Sequence, residues 1–269
     1  MTAAAVLREL AALPADVDIA LGALRPDQHG VYEVAGRRVP IPVRVTEAKM
    51  AAATFLVPHA AATSVIDGTG LTPARQRGGK AVVALALIRY VVCDLGDYDE
   101  LGLSFIVDQP AGQPPLEKGA VAAYIHRLPV SQEFTCEAGR GIWGFPKWVA
   151  DLRVMVGRNV ATATLRDPRR ATAADIFLRT GGIPLPTRAL TMVCYSNDAE
   201  GRILRTSWET TNASTRVRLG LGIATVNPGA EGSTDDPFAA DLRALGFPRR
   251  ALMVTSATMR ASFGAPEPI

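Results

Sequence analysis

Residues 80–107 read KAVVALALIRYVVCDLGDYDELGLSFIV. Lys80–Val92 is an apolar run rich in valine, leucine and isoleucine, and Leu101–Val107 is a second. The acidic turn DLGDYDE lies between them. Two such runs around a short polar turn predict a pair of strands. The longest unbroken apolar stretch, Ala81–Ile88, ends at Arg89. That is well short of the ~20 residues that span a bilayer.

The same pattern extends outward in both directions. VYEVAGRRVPIPVRV, from Val31, alternates across a turn at Ala35–Gly36 and predicts a hairpin. Pro40 and Pro42 place its second arm at a sheet edge. Thr46 is expected to cap a short helix running through Phe55, with Glu47 in its first turn. Ala120–Leu128 reads as a strand. Leu152, Val154 and Val156 alternate up to the turn Gly157–Arg158–Asn159, and Val160–Leu165 returns as a second hairpin. Ala171–Arg179 is expected to be a short helix stopped by Gly181–Gly182. Ala189–Tyr195 and Arg202–Thr210 flank SNDAEG as a third hairpin. Arg216–Val226 reads as one more strand. Thr234 or Asp235 is expected to cap a helix from Pro237 to Leu245, stopped by Gly246. Ala251–Arg260 is the last strand. Residues 2–12 carry a helical pattern ended by Pro14. Helices are few, peripheral and not alternating with strands. The expected fold is therefore α+β, with one β-rich domain over residues 1–269 built on a large antiparallel sheet. Residues 1–30 are expected to form a helical extension.

Composition narrows the function. The net charge of +3 is small, and the basic clusters at 166–170 and 248–250 sit beside turn residues. No clustered basic face for nucleic acid is expected. Cys93, Cys136 and Cys194 are widely spaced, without a CxxC pair. An odd count of this kind predicts a reducing compartment and no structural zinc. Arg8 and Glu9 break the apolar run at the N-terminus, so no signal peptide is expected. These readings place the protein in the cytoplasm, away from membranes. Asp94, Asp97, Asp99 and Glu100 lack the spacing of a calcium loop and read as a solvated turn. His29, His59 and His126 have no metal-ligand spacing. No GxSxG, P-loop or strand-linked GxGxxG occurs, because LGLG at 219–222 lacks the last glycine and the helix.

Lysine is the rare basic residue here: Lys49, Lys80, Lys118 and Lys147 are the only ones, against many arginines. Arginine stays protonated and forms no imine with a carbonyl, whereas lysine does so once its amine is neutral. Burial among apolar groups favours that neutral form. Lys147 alone is flanked by aromatics, in AGRGIWGFPKWVADL from Ala138 to Leu152. The bland alternative is a surface lysine at the start of a strand, its stem lying over Trp148. GFPR at 246–249 repeats most of the GFPK tetrapeptide, so that match alone is not specific.

GRGIWGFPKWVADL resembles the Schiff-base segment of the acetoacetate decarboxylase family, in which a Gly-Arg pair precedes an aromatic-Pro-Lys. Acetoacetate decarboxylase is itself the standard example of an activated lysine. LGDYDE and AGRRVPIPVRVTE resemble two further family stretches. The resemblance spans roughly Val31 to the C-terminus. It implies a barrel-like sheet, Lys147 as the imine-forming residue, Glu100 as a pocket glutamate and Arg37, or alternatively Arg38, as the pocket arginine. It also implies association into a homo-oligomer. Three features depart from the name-giving enzymes. Trp148 stands where they have a second lysine, Leu85 falls near their other pocket glutamate, and Gly141 replaces an acid after Gly-Arg. Trp143, Phe145 and Trp148 are then expected to shed water from the amine. These aromatics, Leu85 and Tyr98 are expected to line the substrate, although core or rim packing is the stronger reading of Tyr98 and Tyr124.

The resemblance implies a lyase that decarboxylates a β-keto acid through an iminium and an enamine, without metal or organic cofactor. The apolar replacements predict a substrate bulkier or less polar than acetoacetate. The alternatives are aldol or dehydration chemistry through the same imine, and a non-catalytic binder of small ligands.

Overall fold

The computed structural model describes residues 19–169, 171–186 and 190–269, with Leu190, Asn212 and Ala213 described by backbone alone. The expected helix at residues 2–12 lies outside these residues. Ile19–Gly30 contains no helix and runs as an irregular strap.

Four strands and one helix begin the chain: β1 (Val31–Val34), β2 (Arg37–Pro40), β3 (Val43–Pro58), helix α1 (His59–Val65) and β4 (Lys80–Cys93). Next come β5 (Tyr98–Ile106), β6 (Val121–Val130), helix α2 (Glu133–Trp143), β7 (Lys147–Val149), β8 (Asp151–Val156) and β9 (Val160–Arg166). The chain closes with β10 (Thr172–Arg179), β11 (Ile183–Pro184), β12 (Leu190–Asn197), β13 (Ile203–Leu219), β14 (Ala224–Pro228), helix α3 (Pro237–Ala244), β15 (Ala251–Phe263) and β16 (Glu267–Pro268). The order β13-β12-β6-β5-β4-β3-β15, with β15 returning to β13, closes a seven-stranded barrel. Its pairings are antiparallel except β12 with β6. A separate four-stranded sheet runs β14-β10-β9-β8, and β1 and β2 form a ribbon. The chain is therefore mostly β with few helices, as the sequence pattern predicts.

Alternation along the strands builds two cores. Ala51, Ala53 and Phe55 of β3, Val83, Leu85 and Leu87 of β4, and Leu101, Leu103 and Phe105 of β5 pack with Leu165 and Ile176 of the four-stranded sheet. A seven-stranded barrel has room inside for side chains and not for a sheet, so this core lies outside the barrel wall. The intervening residues Ile88 and Tyr90 face inward with Val43, Val45 and Ala48. They form the second core with Cys136, Ala138 and Ile142 of α2.

Several expectations change. Val43–Pro58 is one long strand, not a helix from Thr46 to Phe55. Alanine favours helices in isolation, but each small side chain here fits a barrel wall covered on one face and filled on the other. Residues 172–179 form β10, with alternating burial, in place of the expected helix. The strand expected over 216–226 is two, β13 and β14, separated by a turn at 220–223. The cap of α3 is Asp236, whose Oδ1 accepts from Phe238 N at 2.8 Å, rather than Thr234 or Asp235. The Val31 hairpin stands as expected: Ala35 and Gly36 both have positive φ, 46° and 73°, matching the twist of a two-residue turn.

One polar clamp ties α3 to the barrel. Leu103 pairs with Arg127 and Ser104 with Ile125, which leaves His126 as an extra residue in β6. That bulge lets consecutive side chains reach the same partner. His126 Nε2 lies 2.9 Å and Arg127 Nε 2.6 Å from Asp241 Oδ2 of α3. Burial opposes the Asp241 charge, but His126 and Arg127 outweigh it and hold the carboxyl at about 2. A carboxyl pulled below its unfolded value near ~3.9 stabilises the fold fully above that pH and loses its contribution as pH falls toward the folded value. Asp241→Asn should therefore lose about 3 kcal/mol at pH 7 by urea unfolding, because it removes the carboxylate that the buried Arg127 guanidinium faces. The gap to wild type should narrow as pH falls from about 4 to about 2. A gap constant over that window would mean that the clamp carries no linked stability.

Candidate active site

Lys147 opens β7, directly after α2. Gln132 caps that helix through Oε1, which accepts from Thr135 N at 2.6 Å. Gly144 ends it in the left-handed region, φ 64°. A Cβ at Gly144 would stand 2.6 Å from the Asn197 carbonyl oxygen, so only glycine fits this turn. Phe145 and Pro146 then lead to β7, which lies parallel to β6 with Lys147 opposite Leu128.

The amine is not on the surface. Side-chain exposures of Lys147 and Glu100 are 4% and 6%. Lys147 Nζ lies 2.8 Å from Glu100 Oε2 and 3.4 Å from Thr135 Oγ1 of α2. Tyr90 OH donates to Glu100 Oε1 at 3.0 Å. Tyr90 and Tyr98 oppose each other across β4 and β5 and stack with centroids 4.3 Å apart. The Tyr98 ring centre is 5.2 Å from Nζ. Burial, and then the Glu100 charge, push both phenols well above the usual tyrosine value, so each stays a protonated donor. A buried ion pair needs its remaining lone pairs and protons satisfied, and Tyr90 and Thr135 do this.

The Gly-Arg pair on α2 has two separable tasks. A Cβ on Gly139 would stand 2.5 Å from Lys147 Cδ and 2.6 Å from Cε, so the lysine stem crosses the helix where no side chain projects. Arg140 NH1 donates to the Lys147 carbonyl at 2.9 Å, and Nε to the Ile19 carbonyl at 3.1 Å. Arg140 thus fixes the β7 backbone and the strap. Gly141 admits that strap, because a Cβ there would meet Ile19 and Leu24 at 2.7 Å. In the look-alike GFPR, Arg249 Nε donates to the Leu245 carbonyl at the end of α3, far from any such pair.

Of the residues singled out in the sequence, the structure brings together Lys147, Glu100 and Tyr98. Trp143 and Phe145 share the inner core and stack on each other, with Trp143 Nε1 donating to the Gly264 carbonyl at 2.8 Å. Trp148 and Leu85 belong to the outer core. Alternation turns Trp148 away from its neighbour Lys147, so it does not shield the amine. Leu85 likewise points out of the barrel, between the inward-facing Ala84 and Ala86, and does not line the amine's side of the wall. Arg37 is exposed, its guanidinium 3.7 Å over the Phe134 ring. Arg38 is exposed and pairs with Asp27 at 3.3 Å. Among the described residues no hydrogen bond or ion pair joins either arginine to Lys147 or Glu100. The acidic turn is structural: Asp97 and Asp99 hold Arg89, and Asp94 accepts from Arg44 N.

Tyr90 and Thr135 were missed. Tyr90 is in phase with inward-facing Ile88, a signal the alternation carries once the inner face is known. Thr135 had no such signal, because α2 itself was not expected. Its Gly139 and Gly141 each cost a helix about 1 kcal/mol relative to alanine. The three cysteines are free. Burial pushes the Cys136 thiol, beside the amine on α2, up to about 11. Among the described residues no helix is long and apolar enough to cross a membrane.

The model of the acetoacetate decarboxylase family matches residues 34–179, a little over half of the chain. No curated protein matches the sequence significantly. Among solved structures, an acetoacetate decarboxylase from Legionella pneumophila is 14% identical, with 87% of this chain and 91% of that one covered at a TM-score of 0.61. Another acetoacetate decarboxylase is 14% identical over 85% of this chain and 89% of that one, TM-score 0.59. The enduracididine biosynthesis enzyme MppR, complexed with pyruvate, is 13% identical over 87% and 92% of the two chains, TM-score 0.59. At such identities these likenesses speak for the fold.

Gly139→Ala should leave the protein folded but drive the lysine stem off α2. Labelling of Lys147 by an amine-directed aryl ester, read by peptide mapping, should then change at least tenfold in rate, with the melting temperature lowered by only a few degrees. Labelling at the wild-type rate would show that the stem has another path.

Proposed function

This chain belongs to the acetoacetate decarboxylase family, and on that premise we propose that it is a Schiff-base enzyme whose nucleophile is Lys147. The observation that carries the reading is the buried amine 2.8 Å from a carboxylate, laid over a glycine that leaves its stem room. Attack on a ketone needs the free amine. Glu100 Oε2 is placed to take the ammonium proton, while Tyr90 holds Oε1 and so keeps Oε2 turned to Nζ. The carbinolamine loses water, with the proton returned from Glu100, to give an iminium. In a β-keto acid the electrons of the C–C bond to the carboxylate then flow into the iminium, releasing CO₂ and leaving an enamine. Protonation at carbon and hydrolysis free the ketone and the lysine. Tyr98, a protonated phenol beside the amine, is the proton donor we favour for the enamine carbon.

The substrate is a keto acid longer than acetoacetate. Leu85 no longer supports this, but the inner wall does. Ala52 pairs with Ala86 and Ala86 with Gly102, one step along the strands from the row of Met50, Ile88 and Glu100. Leu128 Cδ1 packs over Gly102, 3.3 Å from where a Cβ would stand, so a chain extending from the imine would run along Ala52 and Ala86 by displacing the Leu128 side chain. Each buried methylene contributes ~0.8 kcal/mol, about fourfold in affinity. A second reading keeps the imine without decarboxylation, as in aldol or dehydration chemistry. It draws on the likeness in fold to MppR, complexed with pyruvate, an α-keto acid whose imine has no β-carboxylate to lose.

Borohydride trapping with acetoacetate, 3-oxohexanoate and pyruvate, followed by peptide mapping, tests both readings. Label is expected on Lys147 and none in Lys147→Arg, which keeps the charge but forms no imine. Label on Lys49, Lys80 or Lys118 with Lys147 untouched would sink the proposal. Glu100→Gln should slow trapping by about a hundredfold, as expected for loss of a general base. Ala86→Leu should reduce turnover of 3-oxohexanoate more than that of acetoacetate. CO₂ release tracking the trapping supports the lyase, whereas trapping without CO₂ selects the second reading.

A further inference from the structure

The outer face of the barrel carries a concave site, unrelated to the amine. Lys49, Thr258 and Ser214 stand in register on the neighbouring strands β3, β15 and β13, and Arg216 stands opposite Ser256. The β8–β9 turn brings Arg158 over this wall. Together they line a pocket of about 310 Å³. Lys49 shares the outer face with Ala51, whereas Met50 between them turns inward. The pocket and the Lys147–Glu100 pair thus lie on opposite sides of the barrel wall.

The charge pattern is what needs explaining. Lys49, Arg158 and Arg216 converge without a carboxylate among the lining residues, and none of them has an ion-pair partner among the described residues. Elsewhere some surface arginines pair with acids, as Arg38 does with Asp27, Arg89 with Asp97 and Arg202 with Asp198, whereas here three cations gather with no acid between them. Three like charges around one concavity repel each other and focus a positive potential into it. The Arg216 guanidinium is oriented by donation to the Gly182 carbonyl at 3.2 Å. Ser256 Oγ accepts from Gly181 N at 3.4 Å, which anchors that hydroxyl beside the same loop. Planar guanidinium forks match oxyanions in pairs of hydrogen bonds, and an ammonium and hydroxyls complete such a shell.

We propose that this pocket binds a small organic oxyanion of two or more negative charges. The shared chemistry is that of a phosphate ester or a polycarboxylate, bridged between Arg216, Lys49 and Arg158, with Ser214, Ser256 and Thr258 donating to the remaining oxygens. Its volume suits one such group with a short organic residue and not a polymer. The site is separate from the imine chemistry, so its ligand modulates or accompanies the enzyme rather than reacting at Lys147.

Titration calorimetry and thermal melting of the full chain with pyrophosphate, inorganic phosphate and citrate test this. At least one of the three should bind at low ionic strength and raise the melting temperature. Its affinity should fall as sodium chloride is raised, yet remain measurable at physiological ionic strength. Preference for pyrophosphate would identify the phosphate source, and preference for citrate the carboxylate source. Lys49→Gln combined with Arg216→Gln should weaken binding at least tenfold. Arg77→Gln, on another exposed surface, should not. The double variant should still be labelled at Lys147 by pyruvate and borohydride at the wild-type rate, which separates this site from the proposed active site. Absence of binding by all three anions, or affinity unchanged in the double variant, would overturn the proposal. So would binding abolished by modest salt for every anion alike.

Discussion

Lys147 and Glu100 meet at 2.8 Å with almost no water around them. Two charges removed from solvent in this way cost several kcal/mol each unless the geometry is tight and the other hydrogen-bonding positions are filled. Much of the surrounding structure meets that demand. Tyr90 takes the second carboxylate oxygen, Thr135 approaches the ammonium, and Gly139 removes the side chain that would otherwise occupy the lysine's path. Arg140 does not touch the amine. It holds the carbonyl of Lys147 itself, fixing where the stem begins.

Helix α2 and strand β7 act as one unit in this arrangement. The helix supplies the glycine, the arginine and the threonine. Its left-handed cap at Gly144 turns the chain so that the residue three positions later points back across the helix. The barrel supplies the other half, because closure brings β4 and β5 beside β6 and so sets Tyr90, Tyr98 and Glu100 against the unit. The polar groups on β6 face different partners. The bulge at His126 diverts two side chains outward to Asp241, while Leu128 and Val130 continue the inner core.

The two faces of the barrel wall have different chemistry. The outer face of β3, β4 and β5 is covered by the four-stranded sheet and is apolar. Further round the wall, on β3, β15 and β13, the covering sheet stops and the outer face becomes cationic and hydroxyl-rich. Inside, the wall descends from tyrosines and a glutamate to small residues. A side chain's role here follows from which face it joins, and neighbours such as Lys147 and Trp148 therefore serve different cores.

The sequence by itself determined the β-rich character, the hairpins at 31–40, 151–166 and 190–210, and the Gly-Arg…Phe-Pro-Lys segment that singles out one lysine. Local patterns suffice for these, since turn residues and alternation within a few residues specify hairpins. The same local reading made a helix of Thr46–Phe55, because alanine's propensity is a property of the isolated chain and barrel pairing overrides it. It also missed α2, whose glycines weaken it locally and whose packing against the barrel stabilises it. Only the tertiary structure decided which residues meet the amine. Leu85 and Trp148 are apolar and close in sequence to inward-facing residues, yet a shift of one position along a strand sends a side chain to the opposite face. Tyr90 reaches Glu100 across the paired strands β4 and β5, and Thr135 reaches Lys147 from a helix 12 positions earlier, so folding rather than local spacing gathers them around the amine.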